Sequence, residues 1–381
     1  MKNNFVAILD FGSSKITCMA ATKVSGRDDF VIRAVGQSTY NGFDDNAWYE
    51  PETISAAIND AVSQVEKKTD STIKEIFVGV PGVFCASATS EASITFHSKK
   101  KVDSDDVSEL IKKADIYDVD SEYVPMGGKP VYFILDGALK TFDPVGNVAS
   151  KLTALVCFSF MKTYFRNSVA NVLQQRGIKR VTYVNTCDAE TQYIVQSMSQ
   201  GDYCIVVDVG HITTNVMLCG GKSLLFTKTF ALGSGYLASD LCQVFGCDYN
   251  VAMATLEKVN LSLEFKDGDV YNVNGRTLDA KQTNEVLAAR IGQIADYVVR
   301  SFQYCDKEIP YNTPIVLTGG GLSYLRGGSY VLASYLGKNV TVYESANPQT
   351  NRNEYTSCYG LIAEAMKSGS AKFSILSLFR K

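Results

Sequence analysis

Apolar runs of strand length recur along the chain, and two of them end in an acidic residue followed by a glycine. In "FVAILDFGSSKITCMA" the apolar residues 5–9 predict a buried strand that leads into Asp10, Gly12 and two serines. In "YCIVVDVGHITTNVMLCGG" a similar run leads into Asp208, Gly210 and two threonines, and another apolar run follows. Asp, Gly and Ser are common in ordinary turns. Their recurrence in both halves of the chain favours two β-hairpins with a shared function.

The residues of both turns suit the binding of phosphate and Mg²⁺. A glycine lets the backbone approach a ligand closely, and consecutive N–H groups and hydroxyls form a nest for an anion. A carboxylate on each side can hold Mg²⁺ through its water ligands, and Asp10 and Asp208 are the candidates. The predicted phosphate-binding residues are Asp10, Gly12, Ser13, Ser14 and Lys15 in the first turn and Asp208, Gly210, His211, Thr213 and Thr214 in the second.

A third element, "PIVLTGGGLSYLRGGSYVLASYL", predicts a strand over residues 314–317, a loop at Gly319, Gly320 and Gly321, and a helix from Leu325. Glycines let such a loop pass against a ribose and a base, although some Gly-rich turns serve only close packing. The three elements in this order resemble the actin–hexokinase–chaperone ATPase superfamily. That resemblance implies a two-lobed α/β, actin-like (ribonuclease H-like) fold with ATP and Mg²⁺ in the cleft. It also adds Gly235, Glu285 and Leu322 as nucleotide-binding candidates.

The region between the two hairpins narrows the resemblance. After "IKEIFVGVPG", an acidic run beginning at Asp103 caps a predicted helix whose Val107, Leu110 and Ile111 face inward. Two strand-like runs then bracket "FDPVGNVAS", and a helix over residues 162–176 ends at Gly177. This strand–helix–strand–strand insert resembles the SHS2-like subdomain of the FtsA family of bacterial cell-division proteins. The segment "NGRTLDAKQTNEVLAARIGQIADYVVRSFQ" resembles the same family.

The FtsA resemblance implies a division of the chain and a set of partners. Such a protein would polymerise at the cytoplasmic face of the cell membrane, at the division site. It would tether the FtsZ ring there and recruit later division proteins. The implied divisions are a first lobe of residues 1–81, 164–190 and 356–366, an inserted subdomain of 82–163, a second lobe of 191–235 and 301–355, a partner-binding subdomain of 236–300, and a tail of 367–381.

The partner-binding subdomain is expected to receive the C-terminal peptide of FtsZ. The helix within "NEVLAARIGQIADYVV" has an apolar stripe that predicts a buried face. This leaves Glu285, Arg276 and Arg290 free for other contacts, and the two arginines suit an acidic peptide.

The last stretch, "KSGSAKFSILSLFRK", predicts a flexible linker at Ser368-Gly369-Ser370 followed by an amphipathic helix. One interpretation is a tail that packs on its own domain. The linker and the basic flank favour a helix that lies on a membrane surface. The predicted membrane-binding residues are Phe373, Ile375, Leu376, Leu378, Phe379, Arg380 and Lys381.

Composition and charge exclude several other classes of protein. The 381 residues allow two or more domains, and 46% apolar with 20% charged residues is ordinary for a soluble protein. A net charge of −3 gives no polybasic signature, so no nucleic-acid partner is expected. The apolar run at the start of the chain is too short for a signal peptide. Ten cysteines without a CxxC pair, and only two histidines, make a zinc site improbable and favour a reducing cytosol.

Two departures from hydrolytic relatives reduce the expected activity. His211 and Ile212 stand where the second phosphate turn usually has glycines; His211 either contacts phosphate or fills space, and we favour the second interpretation. In "VNTCDAETQY", Thr186 falls nearest the place of a water-positioning acid or Gln, with Asp188 and Glu190 further along a helix. ATP binding with at most slow hydrolysis is therefore expected.

Three alternatives remain within the superfamily. A scaffold of a pilus or secretion machine, similar to PilM, shares most of the architecture but needs no membrane-binding tail. A small-molecule kinase would need a catalytic Asp in an acceptor pocket, which the short "HITT" loop does not supply. A chaperone would need a peptide-binding domain after the ATPase core.

Overall fold

The computed structural model describes residues 5–24, 29–43, 47–196, 203–221, 223–345 and 347–370. Two five-stranded sheets within it share one topology. The first has the order β3-β2-β1-β4-β9 and the second the order β12-β11-β10-β15-β16. The strands, numbered in chain order, are β1 (Val6–Phe11), β2 (Lys15–Lys23), β3 (Phe30–Thr39), β4 (Glu75–Val80) and β9 (Arg180–Asn185), then β10 (Tyr203–Val209), β11 (Thr214–Gly220), β12 (Ser223–Phe230), β15 (Ile315–Thr318) and β16 (Val340–Val342).

The two predicted hairpins are confirmed. Strand β1 pairs antiparallel with β2, with Asp10 opposite Thr17, and β10 pairs antiparallel with β11, with Asp208 opposite Asn215. In each sheet the first strand also pairs in parallel with a later one, β4 or β15. Both Asp-x-Gly turns therefore lie at the carboxyl end of the first strand of their sheet, where open α/β sheets bind ligands.

The inserted region forms a third, antiparallel sheet of order β5-β8-β6-β7. Its elements are β5 (Cys85–Lys101), α2 (Ser104–Ala114), β6 (Tyr123–Leu135), β7 (Leu139–Thr141) and β8 (Val148–Lys162). The predicted cap is confirmed, because the Asp103 carboxylate accepts the N–H groups of Asp105 and Asp106 at 3.0 Å. The Asp106 carboxylate accepts the Asp103 N–H in return, which completes a capping box.

The remaining elements surround these sheets. The helices are α1 (Pro51–Thr69), α3 (Thr163–Gln175), α4 (Thr186–Gln196), α5 (Gly235–Phe245), α6 (Tyr249–Lys258), α7 (Ala280–Ser301), α8 (Gly328–Leu336) and α9 (Thr356–Ser370). Strands β13 (Val270–Val273) and β14 (Arg276–Asp279) form a separate hairpin. Short 3₁₀ turns occupy Gly82–Phe84, Phe302–Tyr304, Pro348–Thr350 and Asn353–Tyr355. No helix in these described ranges combines the length and apolar character needed to cross a bilayer.

Two sequence-based boundaries were wrong. Helix α8 begins at Gly328 rather than Leu325. The Leu325 N–H donates to the Leu322 carbonyl, which forms a separate turn, and the following Gly327 has a left-handed φ of +80° that interrupts the helix. Helix α9 continues to Ser370, so residues 368–370 are helical rather than a linker. A helix anchored by buried Tyr359 and Ile362 can extend through small residues at its end. The predicted membrane-binding residues 373–381 lie outside the described residues.

Candidate functional site

The two Asp-x-Gly turns have the same internal geometry. The Gly12 N–H donates to the Lys15 carbonyl at 3.0 Å, and the Gly210 N–H donates to the Thr213 carbonyl at 2.9 Å. A Cβ atom would lie only 3.1 Å from that carbonyl oxygen at position 12 and 3.0 Å at position 210. Each turn is therefore tight, and a side chain at either position would need the neighbouring backbone to give by a few tenths of an ångström.

A cleft of about 260 Å³ lies between the two turns, and most of the predicted residues line it. The predicted residues that line it are Asp10, Gly12, Ser13, Ser14, Lys15, Asp208, Gly210, His211, Thr213, Gly319 and Gly320. The other five predicted residues are not in its lining, and their places are given next. Most of the residues predicted in the two Asp-x-Gly turns, and the first two glycines of the Gly-rich loop, therefore lie together at one cleft.

Those five residues have other places in the structure. The Thr214 hydroxyl donates to the Leu232 carbonyl at 2.7 Å, and Leu322 is fully buried in the core of the second lobe. Gly235 begins α5 beneath the imidazole of His211. The Gly321 N–H donates to the Val209 carbonyl at 2.8 Å. Glu285 is exposed on α7, and the family-like spacing that suggested it does not bring it to the cleft.

The Gly-rich loop packs directly against the second Asp-x-Gly turn. Gly319 has a φ of +89°, and a Cβ atom there would lie 2.1 Å from Oδ1 of Asp208. A Cβ atom at Gly321 would lie 2.6 Å from the Gly210 carbonyl oxygen. The loop therefore needs glycine at positions 319 and 321 for close packing against this turn.

Three carboxylates converge on the cleft: Asp10 and Glu190 are buried, and Asp208 is half-buried. Oδ2 of Asp10 accepts hydrogen bonds from Ser357 Oγ at 2.7 Å and Cys358 Sγ at 3.5 Å, while its buried Oδ1 has no partner. Burial raises the pKa of Asp10. Burial, together with the charge of Asp10, raises the pKa of Asp208 to about 6, although Asn215 donates to its Oδ2 at 2.9 Å.

The third carboxylate, Glu190, is the main residue that the sequence analysis missed. It is 1% exposed, its Oε2 has no partner, and burial followed by the charges of Asp208 and Asp10 raises its pKa well above the ordinary value. Glu190 lines the cleft together with Thr186. Residues four apart share one face of a helix, so the predicted helix could have indicated it. The sequence analysis placed Glu190 further along this helix than Thr186, and the structure brings both residues to the cleft.

These residues fit a divalent cation held through water. Three nearby carboxylates and an unpartnered buried oxygen on Asp10 leave negative charge that a cation would compensate. Within the described ranges, no three His, Cys, Asp or Glu side chains form a direct metal-binding group. A Mg²⁺ ion here would therefore keep much of its water shell, as it commonly does in proteins.

The two turns also touch each other across the cleft. The Ile212 N–H donates to Ser13 Oγ at 2.9 Å, so a phosphate between the turns has to displace this bond. The His211 ring lies against Gly235, its Nε2 is 3.2 Å from the Tyr249 hydroxyl, and burial lowers its pKa. The imidazole therefore fills the space between Gly235 and Tyr249, which favours the space-filling interpretation.

Two sheets of equal topology, each contributing a phosphate-type turn to a shared cleft, define an actin-like fold. Solved structures agree: the PilM–PilN type IV pilus biogenesis complex matches with a TM-score of 0.64 and 14% identity, over 94% of this chain and 98% of that chain. MreB5 of Spiroplasma citri bound to AMPPNP matches with a TM-score of 0.58 and 8% identity, over 97% and 98%.

In sequence, the chain is similar to the cell division protein FtsA of Enterococcus faecalis. The two are 24% identical over 327 residues, which cover 83% of this chain and 73% of that protein. No protein-family model matches the chain. The resemblance to FtsA and the actin-like fold predicted from the motifs are both confirmed.

The raised pKa of Asp208 predicts a pH-dependent stability in the absence of nucleotide. The folded chain binds its proton at about pH 6 and an unfolded chain near 3.8, so the free energy of unfolding decreases as the pH rises through this window. The gap corresponds to at most ~3 kcal/mol. Urea unfolding at pH 7 should show Asp208→Asn to be more stable than the unmodified chain, and the difference should shrink at pH 4. An Asn variant that is no more stable at pH 7 contradicts this.

Proposed function

We propose that the chain binds ATP with Mg²⁺ in the cleft and acts in bacterial cell division. In this proposal it polymerises at the cytoplasmic face of the membrane, at the division site, tethers the FtsZ ring there and recruits later division proteins. The observation that carries the proposal is the similarity to FtsA over 83% of the chain. The inserted four-stranded subdomain between the two hairpins supports it.

Different residues of the cleft would bind the phosphates and the metal ion of Mg-ATP. Lys15 and the hydroxyls of Ser13, Ser14 and Thr213 line it where negative phosphates need donors. The carboxylates of Asp10 and Asp208 would orient the waters of Mg²⁺, which when bound neutralises charge between them and the phosphates. This arrangement supports ATP binding more directly than turnover.

Hydrolysis would depend on Thr186 and Glu190. Both line the cleft, and each has a buried oxygen without a partner. These oxygens could hold a water, but the crowding by Ile212 at Ser13 opposes entry of the third phosphate. We therefore propose slow hydrolysis.

The groove between α5 and α7 is the proposed docking site of the FtsZ peptide. It has a volume of about 340 Å³ and is lined by Asp240, Gln243, Val244, Val286, Ala289, Arg290 and Gln293. Val244 is 44% exposed there, which offers an apolar contact to an extended peptide. Arg276, the first residue of β14 in the same predicted subdomain, is exposed outside the lining of this groove and would attract an acidic peptide that extends beyond it.

Arg290 does not have the freedom expected from the sequence. Its Nε and Nη2 each donate to a carboxylate oxygen of Asp240 at 2.6 Å, and this bidentate pair is partly buried. The sequence could not show it, because the partners are 50 residues apart. Reversing the charge of Arg290 would leave Asp240 beside a second carboxylate, so only Arg276 gives a clean test.

The proposal predicts that the full chain links FtsZ to anionic vesicles in the presence of Mg-ATP. In a sedimentation assay, FtsZ should pellet with vesicles only when the chain is added. Arg276→Glu is expected to weaken FtsZ recovery roughly 5- to 10-fold, the effect of removing one charge–charge contact and adding a repulsion. ATP binding should be unchanged.

The matched control is Arg166→Glu, an equal charge reversal at an exposed position of α3 in the first lobe. It should recover FtsZ as the unmodified chain does. If Arg276→Glu also does so, the peptide docks elsewhere, and if the unmodified chain recovers no FtsZ under any condition, the tethering function is wrong.

A scaffold role in a pilus machine is the second candidate, favoured by the fold similarity to the PilM–PilN complex. It predicts no recovery of FtsZ with or without Mg-ATP. A small-molecule kinase would instead release ADP only when a sugar or an acid acceptor is added.

A further inference from the structure

Helix α9 begins at the nucleotide cleft. The Ser357 hydroxyl donates to Oδ2 of Asp10 at 2.7 Å, and the preceding Thr356 hydroxyl accepts a bond from Thr318 of β15 at 3.0 Å. Asp10 belongs to the first sheet and Thr318 to the second. The first turn of α9 therefore contacts both lobes at the base of the cleft.

In its second turn α9 touches the backbone of α4. A Cβ atom at Gly360 would lie 2.5 Å from the carbonyl carbon and oxygen of Ala189 and 2.7 Å from the amide nitrogen of Glu190. Only glycine permits this contact. Two helices in backbone contact cannot shift independently, because packed interiors deform little.

Further along, α9 reaches the inserted subdomain through an ion network. Oε1 of Glu364 lies 2.9 Å from Nζ of Lys129, a residue of β6, and the same Nζ lies 2.8 Å from Oδ2 of Asp188 in α4. The carboxylate side chains are 13% and 6% exposed. Burial opposes the charge of Lys129, but the two carboxylates outweigh it and raise its pKa.

The network also reaches the second lobe. Oδ1 of Asp188 accepts bonds from Ser223 Oγ at 3.2 Å and the Leu224 N–H at 3.3 Å, both in β12. Both carboxylate oxygens of Asp188 therefore already have partners. Glu364 is the member of the network that α9 can move, because its link to Lys129 joins α9 to β6 directly.

We propose that α9 couples occupancy of the cleft to the orientation of the inserted subdomain. When a cation and nucleotide enter, Asp10 turns from Ser357 toward the new charge, α9 shifts with α4, and Glu364 together with Asp188 carries the shift to Lys129 in β6. The inference rests on the proposed nucleotide binding. Because coupling is reciprocal, a change at the Lys129 end of the network is also expected to alter the affinity for nucleotide.

Hydrogen exchange of the full chain with and without Mg-ATP tests this coupling. In the unmodified chain, Mg-ATP should change the exchange rates of amides in β6 at least fivefold, the lower range of measured couplings. In Glu364→Gln, which keeps the shape, the change should fall by roughly half, because Asp188 of α4 still pairs with Lys129, and in Glu364→Gln combined with Asp188→Asn it should fall below twofold. Ser357→Ala, at the other end of α9, should reduce it likewise.

The matched control is Glu109→Gln, the same substitution at an exposed position of α2 in the inserted subdomain. It should keep the full change. Calorimetry of ATP binding on the same samples distinguishes failure of the proposed function from failure of the coupling alone. A chain that binds no ATP overturns the proposed function and the coupling with it, whereas ATP binding with an unaltered β6, or with a full change in Glu364→Gln, overturns the coupling alone.

Discussion

Replacing both Asp10 and Asp208 by Ala is expected to abolish Mg²⁺-dependent ATP binding. Each carboxylate faces the cleft from one lobe, and each would hold waters of the ion. A hydrogen bond to a charged group contributes ~1.5–3 kcal/mol. Losing the contacts that both carboxylates make with the waters of the ion should therefore weaken ATP binding by roughly two to four powers of ten. Isothermal calorimetry with ATP, in the presence and absence of Mg²⁺, measures this directly.

The double variant should remain folded, because both substitutions remove carboxylates whose pKa values burial already raises. Circular dichroism and thermal unfolding check this before calorimetry. The matched control replaces Asp118 and Asp296 by Ala, two exposed aspartates away from the cleft. The control should bind ATP as the unmodified chain does. An unchanged affinity in Asp10→Ala/Asp208→Ala places the nucleotide elsewhere.

Local sequence was enough for the elements whose signals lie within one hairpin or one helix turn. The Asp-x-Gly turns were predictable because an apolar run, a carboxylate and a glycine within five residues have few other arrangements. The cap at Asp103 was predictable because both members of the capping box are three residues apart. These signals located the two hairpins and the inserted subdomain along the chain, and their order along the chain indicated the fold.

Contacts between distant segments were not accessible in the same way. The pair between Arg290 and Asp240 spans 50 residues, and the bond from Ile212 to Ser13 spans 199. Nothing in either local pattern specifies the partner. Glu190 is an intermediate case, because the helix was predicted but its position against the cleft depends on how α4 packs on α9.

The remaining prediction concerns residues 371–381, the proposed membrane-binding tail. Removing them should abolish sedimentation with anionic vesicles while leaving ATP binding intact. Phe373, Ile375, Leu376, Leu378 and Phe379 would each contribute up to ~1.5–3 kcal/mol if fully buried, and less at the headgroup level. Each nearby cation adds ~1 kcal/mol on an anionic surface.

A single tail should nevertheless bind weakly, because ordering roughly ten residues costs ~1–2 kcal/mol apiece. Tails arrayed along a filament raise the effective concentration of each next contact. Vesicle binding should therefore rise when Mg-ATP drives assembly. It should fall with salt, because the Debye length shortens from ~10 Å at 0.1 M to ~3 Å at 1 M.

Two double variants on opposite faces of the predicted helix separate this mechanism from a tail that packs on its own domain. On a helical wheel Phe373 and Phe379 belong to the apolar arc, whereas Ser374 and Ser377 lie opposite. Replacing both phenylalanines by Glu should prevent flotation with anionic vesicles, and replacing both serines by Asn should not. A chain that lacks residues 371–381 and still floats refutes the membrane role, and one that loses thermal stability on truncation indicates that the tail packs on its own domain.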